Sequence, residues 1–164
     1  MYNLEQQTYA IVRNYFDLCC GQPENIWPKP EMSPLLKNID SLFQKPFELQ
    51  IDAHLRQIKI SSLDDICKIF ILTMKYEFED GKINWGRMVT ILSFVGSLAK
   101  LLHKNYRPLT SQNLHALTKC VTAYIMIQHS EWLLQNGGWV CNTKLFLPPD
   151  NRSVVMYLEY TNIS

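Results

Sequence analysis

Apolar residues recur at helical spacing from the start of the chain. They predict a first helix from Leu4 to Cys20, which Gly21 and Pro23 bring to an end. Three prolines between residues 25 and 34 predict a loop. A second helix is expected to open at Ser33-Pro34 and to be short or kinked, because Pro46 removes a backbone hydrogen bond. Its apolar face consists of Leu36, Ile39 and Phe43.

The middle of the chain contains the strongest helical pattern. Ser61-Ser62 followed by two aspartates is typical of a capped helix start, and the apolar stripe that follows runs to Phe78 and ends at residues 79–81. Asn84 can cap the next helix, which should run to about Leu102. This helix is apolar on nearly every side, so it is expected in the centre of the molecule, surrounded by the others.

The last third predicts a helix from Ser111 to about Gln128 and a separate short helix from Glu131 to Gln135. A further helix is expected over 139–146. Residues 153–160 favour β-structure by composition, but a helix is predicted there because all the neighbouring elements are helical. The chain is therefore predicted to be a single all-α domain over residues 1–164, with about seven to eight helices around a central hydrophobic helix.

Composition and charge narrow the function. Sixteen Lys and Arg stand against fifteen Asp and Glu, for a net charge of +1, which argues against a nucleic-acid or anionic-membrane footprint. The run Met88 to Ala99 is too short to span a bilayer, so we expect a buried helix and no transmembrane segment. Five cysteines without C-x-x-C spacing and no signal-peptide pattern indicate free thiols in an intracellular, reducing compartment.

The residues of enzymatic sites are missing from the sequence. It contains no nucleotide-binding loop, G-x-S-x-G, H-E-x-x-H or paired-cysteine motif, so neither an enzyme, a cofactor nor a metal site is expected. Cys67 is interpreted as a buried structural thiol, with a reactive thiol as the alternative. The histidines lack ligand spacing and are interpreted as structural: His54, His103, His115 and His129.

Two motifs in order carry a specific resemblance. The first is NWGR at residues 84–87, preceded by FEDG at 78–81, and the second is EWLLQNGGW at 131–139. Together they resemble the first and second homology regions of the Bcl-2 family. The stretch from Tyr76 to Leu102 is most similar to the small Bfl-1-type pro-survival branch. The resemblance covers most of the chain and is weakest after Leu147.

This resemblance implies a surface groove that binds the amphipathic BH3 helix of pro-apoptotic proteins. In the family, the arginine at the Arg87 position pairs with an aspartate of the incoming helix, and a guanidinium fork suits a carboxylate. Asn84 would hydrogen-bond the same region, and Gly86 would allow close approach of the ligand backbone. The expected apolar floor consists of Leu55, Phe70, Met74, Phe78, Val89, Thr90 and Phe94.

Each of these residues has a structural interpretation as well. Arg87 could be a surface arginine, Asn84 a helix cap alone, and the floor residues ordinary core. Other residues in the two motifs are expected to be structural rather than to contact ligand. They are the aromatic anchors Trp85 and Trp139, and the turn glycines Gly137 and Gly138.

One departure from the family favours a receptor over a donor of BH3 helices. Where donors and death effectors carry Leu-x-x-x-Gly-Asp, this chain has Leu36 followed by Asp40 and Ser41. Asp40 would obstruct close packing in a groove, and Ser41 cannot pair with an arginine. The expected function is therefore inhibition of apoptosis. The alternatives are a Bax-like effector and a helical scaffold that has lost BH3 binding.

The resemblance also implies partners and a location. The expected partners are BH3 helices of Bim-, Bid-, Bak- and Bax-like proteins, with a Beclin-like BH3 region as a further candidate. The expected location is the cytoplasm, with peripheral association at the mitochondrial outer membrane as an extension. The family's usual C-terminal membrane anchor is not found in the sequence, so either the natural chain ends early, as in some viral relatives, or a tail has been removed. The short chain and the degenerate second helix suggest a viral homologue.

Overall fold

Four helices make up the regular structure of residues 3–21, 60–105 and 107–139, the parts of the chain that the computed structural model describes. They are α1 (Leu4–Cys19), α2 (Leu63–Glu77), α3 (Trp85–Asn105) and α4 (Ser111–Gln135). The prediction of an all-α fold is confirmed. Leu55, the helix predicted to open at Ser33-Pro34 and the two helices predicted after residue 139 lie outside the described residues.

Local hydrogen bonds at the N-termini explain why three of the helices begin where they do. Asn3 and Gln6 form a reciprocal capping box at the start of α1. Thr110 and Asn113 do the same at the start of α4, in agreement with the helix start predicted at Ser111. The Ser62 side chain accepts the N–H of the third residue of α2. Each cap satisfies backbone donors that would otherwise lack a partner.

The C-terminal half of α4 differs from the prediction. A break was expected between Gln128 and Glu131, and this is wrong, because α4 continues to its end without interruption. No proline or glycine lies in that interval. Ile125, His129 and Leu133 are all buried and follow one another at i+4 spacing, so the helix keeps one buried face through the predicted break.

The central helix is α3, and it extends to Asn105, three residues beyond the predicted end. Twelve of its 21 residues are buried, including the five consecutive residues 88–92, so it is enclosed on several sides. It packs against α1 and α2, and these two helices also pack against α4. Among the described residues, α3 is long and apolar enough to cross a membrane by length and composition, but 67% of its apolar window is buried inside the protein.

A close approach joins α1 to α3 at Gly96. A Cβ atom placed there would lie 2.8 Å from Cζ of Tyr15 and 2.9 Å from Sγ of Cys19, both on α1. The Tyr15 hydroxyl also donates a hydrogen bond of 3.4 Å to the carbonyl of Ser93. The two helices can lie this near only because residue 96 has no side chain.

A tryptophan cluster closes one end of the core. The ring of Trp85, at the start of α3, lies 5.0 Å from that of Trp132 and 5.2 Å from that of Trp139. Trp139 is fully buried, and its indole N–H donates a hydrogen bond of 2.8 Å to Oγ1 of Thr8 on α1. Gly137 and Gly138 make this possible, since both have positive φ values and turn the chain back after α4.

Candidate functional site

The first turn of α3 presents the polar residues singled out by the sequence. The exposed side chain of Asn84 accepts the backbone N–H of Arg87 at 2.9 Å, which is the hydrogen bond of a helix cap. Half-buried Gly86 follows in the same turn, and its carbonyl accepts the hydroxyl of Thr90 at 2.8 Å. Asn84 therefore has its capping role in this structure and also fixes the backbone from which Arg87 extends.

Arg87 forms a two-pronged ion pair with Asp80. Nη1 donates to one carboxylate oxygen at 2.9 Å and Nη2 donates to the other at 3.0 Å. Asp80 lies in the turn between α2 and α3, so the pair bridges the two helices. Fork-to-fork pairing of this kind is directional and strong for an ion pair. The Arg87 side chain remains 29% exposed and that of Asp80 44% exposed.

Three further groups surround the same guanidinium. Its Nε lies 3.2 Å from a carboxylate oxygen of Glu77, whose side chain is buried. Nη1 also donates to the backbone carbonyls of Glu77, at 3.2 Å, and Lys82, at 2.8 Å. Arg87 thus ties the end of α2 to the start of α3. A carboxylate from outside the chain would have to compete with these internal acceptors.

The charge of Asp80 depends on the same contacts. The hydrogen bond from Arg87 is the main reason that the pKa of Asp80 is lowered, to about 2, and the backbone N–H of Lys82 adds a second hydrogen bond of 2.9 Å. The Asp80 carboxylate is therefore charged throughout the physiological pH range. Arg87 therefore lies between two carboxylates, those of Glu77 and Asp80.

The predicted floor residues occupy two kinds of environment. Phe78 is half-buried at the end of α2, and Thr90 has only slight exposure. The side chains of Phe70, Met74, Val89 and Phe94 are buried completely or almost completely. These four belong to the hydrophobic core, where α2 packs against α3. Their contact with a ligand stays a prediction.

A row of rings joins the end of α2 to α4. The Phe78 ring lies 4.9 Å from that of His129, which lies 6.3 Å from that of Tyr124. The Tyr124 ring in turn meets Phe70 edge-on at 5.5 Å. His129 is buried, its Nδ1 has no hydrogen-bond partner among the described residues, and burial lowers its pKa. Two predicted floor residues are therefore held in place by α4.

Sequence reasoning did not identify the carboxylates that hold Arg87. Asp80 was interpreted only as part of a helix stop, and Glu77 was not singled out. The available signal was their spacing from Arg87, ten residues back for Glu77 and seven for Asp80, across a turn that contains a glycine. No pattern in the sequence indicates that His129 contacts Phe78, because this contact depends on how α2 packs against α4.

Several known proteins are similar to this chain in sequence. Residues 36–139 match the family model described as apoptosis regulator proteins, Bcl-2 family. The cattle (Bos taurus) Bcl-2-related protein A1 is 35% identical over 107 residues, which are 65% of this chain and 61% of that protein. The anti-apoptotic protein NR13 of quail (Coturnix japonica) is 33% identical over 60 residues, 37% of this chain and 32% of its own.

A solved structure is also similar. The zebrafish pro-survival protein NRZ, in a complex with Bad BH3, superposes with a TM-score of 0.61 at 25% identity, over 83% of this chain and 89% of its own. The matched part spans less than two-thirds of the length of the A1 and NR13 proteins. The family match nevertheless includes α2, α3, α4 and the whole Arg87 site. The chain belongs to the Bcl-2 family of apoptosis regulators.

Proposed function

We propose that this chain inhibits apoptosis by binding BH3 helices of pro-apoptotic proteins in a groove beside Arg87. The observation that carries the proposal is the Arg87 guanidinium, which is partly exposed at the first turn of the central helix and already pairs with a carboxylate in two-pronged geometry. The relatives support it, since NR13 is named anti-apoptotic and NRZ is a pro-survival protein solved with a BH3 ligand.

Recognition would proceed by exchange of carboxylates. The aspartate of the incoming helix takes the place of Asp80, which is the more exposed of the two internal carboxylates and lies in a turn. Glu77 is buried and remains against Nε, so it holds the guanidinium plane while the ligand binds. Because the new pair replaces an internal one, it contributes less than a newly formed ion pair would, on the order of 1 kcal/mol. Arg87 would therefore mainly set the register and selectivity of the bound helix.

Apolar burial would supply most of the affinity, at about 25 cal/mol per Å² of surface removed from water. Phe70, Met74, Val89 and Phe94 are buried in the folded chain. Ligand side chains can reach them only if the elements around them separate. Opening costs free energy, so the observed affinity would be lower than the contact area alone predicts.

The same observations favour a second candidate, a helical scaffold of the same fold that does not bind BH3 helices. In the described residues, Arg87 has internal acceptors for each of its three nitrogens, and four of the predicted floor residues are core. A protein that used this cluster only to join α2 to α3 would have the same contacts. Ligand binding, rather than further geometry, separates the two candidates.

The deciding experiment is calorimetric titration of the full chain with a panel of Bim-, Bid-, Bak- and Bax-like BH3 peptides and a Beclin-like one. Each peptide is paired with a control in which its aspartate is changed to alanine. We expect binding by at least part of the panel and at least about five-fold weaker binding by the controls, the scale of a 1 kcal/mol contact. A panel with no binding would reject BH3 recognition and leave the scaffold function.

A further inference from the structure

A cavity of about 710 Å³ opens between α1 and α4, two helices that pack against each other. Its walls are formed by side chains of α1 from Glu5 to Arg13 and of α4 from Ser111 to Ala123. A cavity of this volume is large enough for a small organic molecule. It is separate from the Arg87 cluster, which lies where α2 meets α3.

Several polar groups in the lining already have partners. The guanidinium of buried Arg13 donates from Nε to Asp17 at 2.9 Å and from Nη2 to Oγ of Ser111 at 2.8 Å. The Tyr9 hydroxyl is hydrogen-bonded to Nδ1 of His115, and the two rings meet edge-on with their centroids 5.6 Å apart. These contacts join α1 to α4, and the two rings give the cavity an aromatic surface.

Two opposite charges in the lining have no partner. Glu5, in the first turn of α1, and Lys119, on α4, are both exposed and both line the cavity. Neither side chain forms an ion pair or a hydrogen bond with the described residues, so no ion pair joins them across the cavity. A single exposed charge indicates nothing by itself. Here, however, the two charges lie on opposite walls of one ligand-sized space, so a single occupant can contact both.

A buried hydroxyl in the same lining also lacks a partner. Thr122 is 4% exposed, and its Oγ1 has no hydrogen-bond partner among the residues that the structure describes. Four other helical threonines donate their hydroxyls to the carbonyl four residues earlier, namely Thr8, Thr73, Thr90 and Thr118. A buried hydroxyl without a partner is unfavourable, and a polar group that enters the cavity can supply one.

We propose that this cavity binds a small aromatic zwitterion of the α-amino acid type. The ligand carboxylate binds the ammonium of Lys119 and the hydroxyl of Thr122, which lie three residues apart on one face of α4. The ligand ammonium binds the carboxylate of Glu5 on the opposite wall. The aromatic side chain of the ligand packs against the ring of Tyr9.

The charges of the lining disfavour other small molecules of the same size. A carboxylate without an ammonium would pair with Lys119 but would also approach the unpaired Glu5. An amine without a carboxylate would pair with Glu5 but would approach the unpaired Lys119. A neutral ligand would remove water from both charges and supply no counter-charge. A zwitterion pairs with both, so each of the four charges has an opposite partner in the complex.

The test is an NMR titration of the isotope-labelled full chain with three compounds that share a phenyl ring and a short carbon chain. Phenylalanine carries both charges, hydrocinnamate lacks the ammonium, and phenethylamine lacks the carboxylate. We expect phenylalanine to cause saturable shifts of the backbone amides of Tyr9, His115 and Lys119, with a Kd on the order of 1 mM. The amide of Gly86, beside Arg87, should not shift. Each analogue should bind at least about five-fold more weakly, the scale of one lost contact.

Four outcomes of the titration would overturn the proposal. Equal affinity for the three compounds would mean that only the aromatic ring is recognised. Binding of hydrocinnamate or of phenethylamine at least as tight as that of phenylalanine would indicate a site for a single charge. Shifts confined to the residues around Arg87 would place the ligand elsewhere. Phenylalanine without saturable shifts at concentrations well above the expected Kd would mean that the cavity does not bind this class of ligand.

Variants of the two charged residues assign their roles. In Lys119→Gln, phenylalanine should bind no more tightly than phenethylamine, because the ligand carboxylate has lost its partner. In Glu5→Gln, it should bind no more tightly than hydrocinnamate. Both residues are exposed, so both variants should fold, and thermal unfolding checks this. Lys75→Gln is the matched control, because Lys75 is exposed on α2 and does not line the cavity.

The control should leave all three affinities unchanged. If folded Lys119→Gln and Glu5→Gln bound phenylalanine as the unaltered chain does, the assignment of the charges would be wrong. Thr122→Val keeps the shape of the side chain and removes its hydroxyl. It should weaken the binding of phenylalanine and hydrocinnamate, which carry a carboxylate, and leave that of phenethylamine unchanged. An equal effect on all three compounds, or none, would remove the Thr122 hydroxyl from the site.

Discussion

Arg87 and Asp80 form two parallel hydrogen bonds, of 2.9 and 3.0 Å, across the turn that joins α2 to α3. The arginine is thus already in the geometry in which a guanidinium binds a carboxylate. A ligand carboxylate would find the fork oriented by Glu77 and by two backbone carbonyls, so little side-chain entropy remains to be lost on binding. The internal pair therefore both competes with a ligand and preorganises its receptor.

The first prediction concerns the titration of Asp80. Its pKa in the folded chain is lowered from 3.8 to about 2, mainly by Arg87. Since the folded-state value is below the unfolded one, the contribution to stability is present above about pH 4 and is lost as the pH falls towards 2. Carboxyl-carbon NMR should show a titration midpoint near 2, which returns towards 3.8 in Arg87→Ala. A midpoint unchanged by the substitution would show that the pair is not maintained in solution.

The second prediction tests the role of Arg87 in binding. Arg87→Ala should weaken BH3-peptide binding by about 1 kcal/mol or more, because it removes the cation that pairs with the ligand aspartate. The affinity of Arg87→Lys should lie between those of the unaltered chain and Arg87→Ala, since lysine keeps the charge but lacks the planar guanidinium. The matched control is Lys82→Ala, because Lys82 contacts Arg87 through its backbone carbonyl alone among the described contacts.

Titration calorimetry measures these affinities, and thermal unfolding shows whether each variant is folded. The second measurement is needed because Arg87→Ala removes the ion pair between residue 87 and the buried Glu77 carboxylate, and this loss should reduce stability. Equal affinity of folded Arg87→Ala and the unaltered chain would remove Arg87 from the proposed site.

The parts of this site that could be predicted from the sequence are those that depend on interactions between residues close together in the chain. Asn84, Gly86 and Arg87 lie within one helical turn, so their relation follows from a local motif. The same holds for the caps at Asn3 and Ser62. Local preferences determine such features: the start of α1 at Leu4 and the serine cap of α2 were predicted correctly, whereas Asn3 was not identified as a cap.

Other features depend on contacts between helices. The burial of Phe70 and Met74 could not be separated from groove exposure by periodicity, because a groove floor and a core face have the same apolar spacing. The predicted break in α4 was wrong because buried His129 continues the packed face through residues 128–131, and that burial depends on the neighbouring helices.

The third prediction concerns the contact of α1 with α3. Gly96→Ala should lower the free energy of unfolding by about 1–2 kcal/mol, because the new methyl group overlaps the Tyr15 ring and Sγ of Cys19. The intrinsic preference of alanine for helices, about 1 kcal/mol over glycine, offsets part of this cost. Ser97→Ala, on the same helix, should change stability by less than about 0.5 kcal/mol. Urea unfolding measures both, and a Gly96→Ala variant as stable as the unaltered chain would contradict the close approach.

The fourth prediction concerns pH and His129. Burial lowers the pKa of His129 below 6.5, so the folded chain binds fewer protons than the unfolded chain at mildly acidic pH. Stability should therefore fall as the pH drops below 6.5, as the unfolded state gains its proton first. His129→Phe keeps a ring against Phe78 and removes the titration.

The measurement is the thermal midpoint at about pH 7.5 and about pH 5.5, which bracket the ordinary histidine range. The thermal midpoint of the unaltered chain should be lower by on the order of a few degrees at the lower pH, and that of His129→Phe should decrease by less. His115→Gln is the control, because His115 is exposed on α4. If His115→Gln reduced the acid sensitivity as much as His129→Phe, the effect could not be assigned to burial of His129.

The fifth prediction isolates the hydrogen bond that anchors the tryptophan cluster. Thr8→Val keeps the shape of the side chain but removes the acceptor of the Trp139 indole N–H, which is buried and 2.8 Å from Oγ1. A buried donor left without a partner costs about 1–3 kcal/mol. Thr73→Val is the matched control, because buried Thr73 donates its hydroxyl within its own helix, to the carbonyl of Ile69, at 2.7 Å.

Both variants lose an intrahelical hydrogen bond of this kind, since Thr8 also donates its hydroxyl to the carbonyl of Leu4. Only Thr8→Val leaves an indole unpaired, so urea unfolding should show the larger loss of stability for this variant. Equal losses would mean that the indole finds another acceptor and that Thr8 does not anchor Trp139.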